Sequence, residues 1–393
     1  MISCRHRALL GSMSLAIAAA IWLPCLHLLY RQKQDHFRSD SGVSVKAQQL
    51  AARHLHLWSA GQSNEITRMR RSNAEWDFMG RSFLAWSLAE MALREPESKS
   101  IYVGVIDQII EDTVRLEREK SFYFFSMSYA KSRPYVQQPA RSQFVDSEIA
   151  LMLAVRQLVE SKSEYKPMLQ ERIVQMVERM KKSPSLSAES YPDECWMFDN
   201  VVALVAIQIA DELDGEDHSE FIKYWLSLAK QKLIHRETGL LVSSFTWDGT
   251  PLDGPEGSSI WMVTHCLRLL DEEFARDQFR RARRELGREL MGFGWSREWP
   301  VSWKGARDID AGAVIPGLEI SAGGSGMAFI AASSFADHQF LSSLHTTLDF
   351  AAFPKHEGGR LKYCASNQVG DAALLYAMVL GPIWEKAKQG IKP

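Results

Sequence analysis

The stretch YPDECWMFDN, residues 191–200, runs without a break into VVALVAIQIADEL, residues 201–213. The second half reads as an apolar helix. The first half places Asp193, Glu194, Cys195, Asp199 and Asn200 at its mouth, beside Trp196 and Phe198. One capping oxygen is enough for the exposed amides of a helix start, so five polar or reactive side chains are a surplus and point to a pocket. The structural alternative has Asp193 capping the helix, Glu194 facing its positive end and Asp199 reaching solvent.

The same pattern repeats in both directions. Apolar-periodic segments of helical length fall at 44–59, 74–94, 99–119, 144–160, 166–181, 195–213, 218–232, 257–272, 275–289, 323–335, 338–351 and 368–387. The breaks at 95–98, 161–165, 214–217 and 336–337 are short, whereas those at 120–143, 233–256, 290–322 and 352–367 are long. Helical hairpins with long loops at one end predict an all-α fold, an (α/α)6 toroid whose long loops gather over one mouth. Strand patterns are confined to one hairpin near 240–250 with Gly249 at its turn.

In such a ring, functional side chains belong at the N-terminal ends of the inner helices. The acids and amides there are Asp77, Asp146, Glu148, Asp199, Asn200, Glu256, Asn367 and Asp371, and a further loop carries Asp308 and Asp310. Capping accounts for Asp146 and Asp371. Asp77 lies between Trp76 and Phe78, and Asp199 follows Phe198. An acid so flanked has either a partner or a raised pKa.

The chain of 393 residues is 46% hydrophobic and 24% charged, with a formal charge of −2, which allows a large core and argues against a nucleic-acid partner. The arginines from Arg276 to Arg288 alternate with acids at helical spacing and read as a solvated face. Ala8 to Tyr30 carries no charged side chain and is long enough to cross a bilayer. This gives one N-terminal transmembrane helix ahead of the toroid, with 1–30 as anchor or signal segment, 31–43 as tether and 44–393 as barrel. Ala18 to Ala20 is the competing processing site, but the apolar run continues beyond it. A single-pass membrane protein with its body on the non-cytoplasmic side is expected, by the precedent of short basic N-termini. A homo-oligomer is compatible with the composition.

Cys4, Cys25, Cys195, Cys266 and Cys364 show no metal-ligand spacing, so no metal and no cofactor is expected. An oxidising compartment would permit a Cys195–Cys266 pair. Buried free thiols are the default for Cys266 and Cys364. His265 follows Trp261 by four and reads as a hydrogen-bonded core histidine. Gly323-Gly324-Ser325-Gly326 lacks the lysine of a nucleotide loop and reads as close helix packing. Trp295, Trp299 and Trp303 form a loop aromatic cluster that either lines a mouth or plugs the ring.

Pro192, Asp193 and Asn200, Trp225, KQKLIHRETGLL at 230–241 and SSIWMV at 258–263 together resemble the linalool dehydratase/isomerase family. That resemblance implies an exported (α/α)6 barrel working on an allylic alcohol with an Asp, a Tyr, a His and two cysteines. The Asp falls on Asp77; the other positions fall on Phe83, Glu148, Ser190 and Asp199. The resemblance therefore implies a lyase or isomerase for a small apolar or amphipathic molecule, with Asp77, Glu148 and Asp199 converging as acid and base. Asp193, Cys195, Trp196, Asn200, Glu256 and Trp261 are expected to contact substrate. The alternatives are a glycan-acting toroid hydrolase, since carboxylates across a small gap serve that chemistry equally, and a non-catalytic binding module.

Overall fold

The computed structural model describes residues 4–38, 42–59, 64–307 and 312–389. Sixteen α-helices lie among the described residues. They are α1 (Cys4–Cys25), α2 (Gln34–Phe37), α3 (Val45–Ser59), α4 (Asn64–Ser72), α5 (Ala74–Arg94), α6 (Lys99–Lys120), α7 (Gln143–Val159), α8 (Tyr165–Lys182), α9 (Met197–Asp214), α10 (Ser219–Lys232), α11 (Gly257–Leu270), α12 (Glu272–Glu285), α13 (Ala322–Ser334), α14 (His338–Ala351), α15 (Gln368–Val379) and α16 (Pro382–Gln389).

Six of these form the inner ring. α5 packs on α7, α7 on α9, α9 on α11, α11 on α13, α13 on α15, and α15 closes back on α5. A helix with neighbours on every side must be apolar on every side. In α7 all residues from Gln143 to Val159 are buried, and α9 is buried without interruption from Met197 to Ile207. Each fully buried aliphatic side chain there contributes roughly 1.5–3 kcal/mol. The outer helices α6, α8, α10, α12 and α14 each follow an inner helix through a short loop, so each runs antiparallel to it. α3 supplies the sixth outer position, packed against α15 and α6. The fold is therefore the expected (α/α)6 toroid.

Helix starts are capped as their sequences dictate. Asn73 accepts from Trp76 N at 3.0 Å, Asp271 from Phe274 N at 3.0 Å, Asp337 from Phe340 N at 3.0 Å and Asn367 from Gly370 N at 2.9 Å. The last periodic segment, expected to run from 368 to 387, is broken. Gly381 takes φ +144°, and Pro382 then opens α16. The carboxyl of Glu90 accepts from Gly381 N at 3.1 Å and Ile383 N at 2.8 Å, tying the start of α16 to the end of α5. α16 packs across α5, α7, α9 and α11, and Trp384 stacks on His265 at 4.5 Å, so this end of the ring is plugged.

Sheet is more extensive than the single hairpin expected near 240–250. β1 (Cys195–Trp196), β2 (Ser244–Phe245) and β3 (Pro251–Asp253) form one antiparallel sheet. β4 (Gly287–Leu290), β5 (Phe293–Ser296), β6 (Val314–Ile315) and β7 (Ile320–Ser321) form a second, in the order β4-β5-β7-β6. β8 (Pro354–Glu357) pairs with β9 (Arg360–Tyr363). The segment expected as helix 275–289 starts at Glu272 and gives way to β4 after Glu285. All three sheets belong to the long loops that lead into inner helices, and they wall the end opposite α16.

α1 continues as a tight turn over Leu26–Leu29. The stretch His6–Leu29, 24 residues, is long and apolar enough to cross a membrane, and none of its most apolar window is buried against the ring. A signal sequence near an N-terminus meets the same description.

Candidate acid site at the mouth of the ring

The loop before α9 is built around a tight turn. Tyr191 and Glu194 exchange backbone hydrogen bonds at 3.2 and 3.0 Å, and Asp193 takes φ +50°. Glu189 fixes this turn from below, accepting from Val136 N at 2.9 Å, Gln137 N at 2.8 Å and Asp193 N at 2.7 Å. Ser190 O accepts from Ser142 Oγ at 2.8 Å and from the Tyr135 hydroxyl at 3.1 Å. This brace fixes the Ser190 hydroxyl, which donates to Asp199 Oδ2 in the first turn of α9.

Asp199 is buried, and burial raises its pKa to about 8; the charges of Glu75 and Glu194 push the same way, while the Ser190 hydrogen bond opposes them. Glu148, on the neighbouring inner helix α7, is also raised to about 8, by burial first and by the charge of Asp199; a hydrogen bond with Ser82 opposes the shift. Its Oε2 has no hydrogen-bond partner. Both carboxyls therefore keep protons at neutral pH. The charge of Asp199 acts on Glu148, whereas Glu75 and Glu194 are the carboxylates that act on Asp199.

Asp77 has a cationic partner of its own. Asp77 lies 3.4 Å from Arg81 Nε, and Arg81 also meets Asp112 at 2.7 Å. Its surroundings are His54, Trp58, Ile66, Trp76 and Gln368, on the side of α5 turned toward α3 and α4. Burial raises the Asp77 pKa, and Arg81 and Arg70 oppose that rise. Residues 77 and 81 share one face of α5, while Glu75 and Ser82, seven apart, share another. Glu75 takes the place at the mouth, accepting the Tyr191 hydroxyl. Sequence reasoning passed over Glu75, and the signal was there in its spacing to Ser82.

The expected substrate contacts divide. Asn200 accepts from Ala188 N at 2.9 Å and donates to Ala188 O at 3.1 Å and Trp196 O at 2.8 Å, so it braces the backbone. Asp193 accepts from Trp247 N at 3.1 Å. Cys195 is buried in β1 with its thiol pushed well above the usual range by burial and nearby carboxylates. Cys195 and Cys266 are both free, not paired. Trp261 donates to Ser296 Oγ at 2.7 Å and is a buried strut. Trp196 and Glu194 are half-buried at the rim, with the indole N–H donating to Glu194. Glu256 is buried at the start of α11, its backbone N–H donating to Ser243 Oγ at 2.9 Å. Close by, Glu298 accepts from Ser258 N at 3.2 Å and from the Ser258 and Ser321 hydroxyls, a carboxylate the sequence analysis did not single out. Asp308 and Asp310 lie outside the described residues. Trp299 and Trp303 stack at 5.5 Å, and Trp295 donates to Leu318 O at 3.0 Å.

His265 is a core histidine, 2.9 Å from the Tyr376 hydroxyl and bonded to Ser334, with burial pushing its pKa down to about 3.

No protein-family model and no curated protein matches the chain. Among solved structures it is similar to an α-1,6-mannanase from Salegentibacter sp. HEL1_6, at 12% identity over 81% of this chain and 89% of that one, TM-score 0.49. An inactive variant of that enzyme in complex with α-1,6-mannotetrose gives 12% identity, 78% and 89% coverage and TM-score 0.48. A family 105 glycoside hydrolase from C. acetobutylicum ATCC 824 gives 12% identity, 86% and 99% coverage and TM-score 0.50. The last likeness is one of fold.

The fold likeness to the family 105 glycoside hydrolase overturns the linalool dehydratase/isomerase resemblance together with the lyase or isomerase it implied. The residues that carried it have structural work in a ring of helical hairpins. Trp225 donates to Ser187 Oγ at 3.1 Å, Trp261 holds β5, and within 230–241 the backbones of Ile234 and Leu241 pair.

Proposed function

We propose that the ring is a glycan-acting hydrolase whose proton donor is Asp199 and whose facing carboxylate is Glu75. The observation that carries this reading is the buried Asp199 carboxyl, raised to about 8 beside Glu75 and Glu194 at the mouth. An acid that holds its proton, with a second carboxylate acting on it, supplies the two kinds of group that glycoside hydrolysis uses. Asp199 protonates the glycosidic oxygen as the carbon–oxygen bond breaks. Glu75 takes the proton of the attacking water as its oxygen bonds to the sugar carbon; that proton then passes to solvent, from which Asp199 is reprotonated. Tyr129, stacked on Tyr191 at 4.2 Å and itself exposed, is an aromatic residue at the rim that suits a sugar ring. The fold likeness to a family 105 glycoside hydrolase supports the same reading at the level of architecture.

The domain reading goes with it: residues 44–393 form the catalytic ring, 31–43 tether it, and 1–30 hold it as an uncleaved span with the ring on the non-cytoplasmic side. Support comes from the apolar stretch His6–Leu29 and its freedom from contact along its most apolar window.

The test is reducing-end release from a panel of oligosaccharides by the wild-type chain and by Asp199→Asn. The amide keeps the volume and loses the exchangeable proton, so turnover falls by about 10²–10⁴-fold with the fold intact. An Asp199→Asn chain that retains wild-type turnover removes the reading.

A further inference from the structure

The segment leaving the span is not free. Tyr30 meets Phe350 of α14 edge-on at 5.1 Å, His27 meets Phe293 of β5 at 6.4 Å, and Phe293 and Phe350 lie 5.3 Å apart. Gly292, at the tip of the β4–β5 hairpin with φ +81°, lies so close to His27 that a Cβ there would come within 2.4 Å of the imidazole. The last residues of the apolar stretch are therefore seated on one face of the ring wall.

That face is apolar where it meets water. Leu290 and Met291, beside Gly292, are 51% and 49% exposed, and Phe350 and Phe353 are 42% and 66% exposed. Leu290 and Met291 also border a cleft of about 800 Å³ whose lining includes His27, Arg31, Lys33 and His338, and whose acid Glu289 is already paired with Arg283. Apolar tips in front of a basic rim match the two layers of a bilayer surface, acyl boundary and anionic headgroups.

Geometry then fixes the occupant. If Leu29 ends a membrane span, residues packed against His27 and Tyr30 lie at the depth of the headgroups. We propose that Leu290, Met291, Phe350 and Phe353 form a second membrane-contact face, inserted at the headgroup–acyl boundary beside the span. The inference rests on reading α1 as uncleaved. It holds the ring at a set tilt, with the C-terminal end of α14, and hence the mouth end of the ring, toward the bilayer.

The experiment uses the full chain with Cys4, Cys25 and Cys364 replaced by serine, in nanodiscs containing phosphatidylglycerol. An environment-sensitive fluorophore is placed at Met291→Cys and, for comparison, at Tyr224→Cys on an exposed part of α10. Lipid spin-labelled near the headgroup is expected to quench the Met291→Cys label several-fold more than the Tyr224→Cys label, and aqueous iodide to show the reverse. Iodide quenching at both positions overturns the proposal. Protection of Met291→Cys from both quenchers also overturns it, because the face is then covered by protein. A mature chain whose mass shows that it begins near residue 21 overturns the anchor reading itself, which separates that failure from the other two.

Discussion

Ser190, in the turn before α9, donates its hydroxyl to Asp199 Oδ2 in the first turn of that helix. The donor favours the ionised acid, yet burial and the charges of Glu75 and Glu194 prevail and hold the carboxyl at about 8. An acid balanced between these influences exchanges its proton near neutrality, which is what general acid catalysis requires.

Stability should fall between pH 6.5 and 8.5. Glu90, Glu148 and Asp199 are raised to about 8 and Asp371 to about 7, so from about pH 4 upward the unfolded chain releases protons that the folded chain keeps. Each such group contributes stability at low pH that is lost at up to about 1.4 kcal/mol per pH unit as pH rises toward its folded pKa. His54 and His265, pushed down to about 3, act oppositely and only below pH 6.5. Urea melts across this range should show the decline, and Asp199→Asn should make it shallower. A midpoint that rises from pH 6.5 to 8.5 contradicts the burial of these acids.

Tyr191→Phe should lower turnover about 10- to 100-fold, the worth of one hydrogen bond to a charged group. The hydroxyl donates to Glu75 and accepts from Met127 N at 3.1 Å. Losing the second bond costs about 1–3 kcal/mol of stability, so rate and urea midpoint should be read together. Unchanged turnover on an oligosaccharide that the wild type cleaves would exclude Glu75 from the reaction.

Lys46→Met should destabilise the ring by about 3–5 kcal/mol, because it leaves Asp349 charged in a buried place. Lys46 Nζ lies 2.8 Å from Asp349, whose other close partner is the Tyr363 hydroxyl at 2.8 Å. Adding Asp349→Leu should restore most of the loss. A double variant no more stable than the single one would show that the pair is worth more than the packing that replaces it.

Glu90→Ala should loosen α16, since it strips two backbone amides of their acceptor and opens a cavity, a combined cost of about 2–5 kcal/mol. Hydrogen exchange over 382–389 should speed up before the rest of the ring responds. Exchange unchanged there would mean that Trp384 packing alone holds the helix.

The ring was legible because its helices are written twice, once in apolar period and once in caps. α5 runs from Ala74 to Arg94 as its pattern requires, and α7 carries no solvated face. The short strands were not legible: β1 and β2 are two residues long, and β5 pairs with β7 across the 297–319 loop, so no local alternation marks them. At the site, the flanking aromatics of Asp77 and Asp199 look alike in sequence, yet a guanidinium four residues on pairs with Asp77 and nothing comparable pairs with Asp199. Facing direction within one helical turn separates Glu75 from Asp77, and a shift of two residues is enough to exchange the two sides of α5.

The seating of α16 across four inner helices makes the ring a bucket rather than a tunnel. On the proposed reading, Asp199, at the N-terminal end of α9, can be approached only from the end of the ring opposite α16.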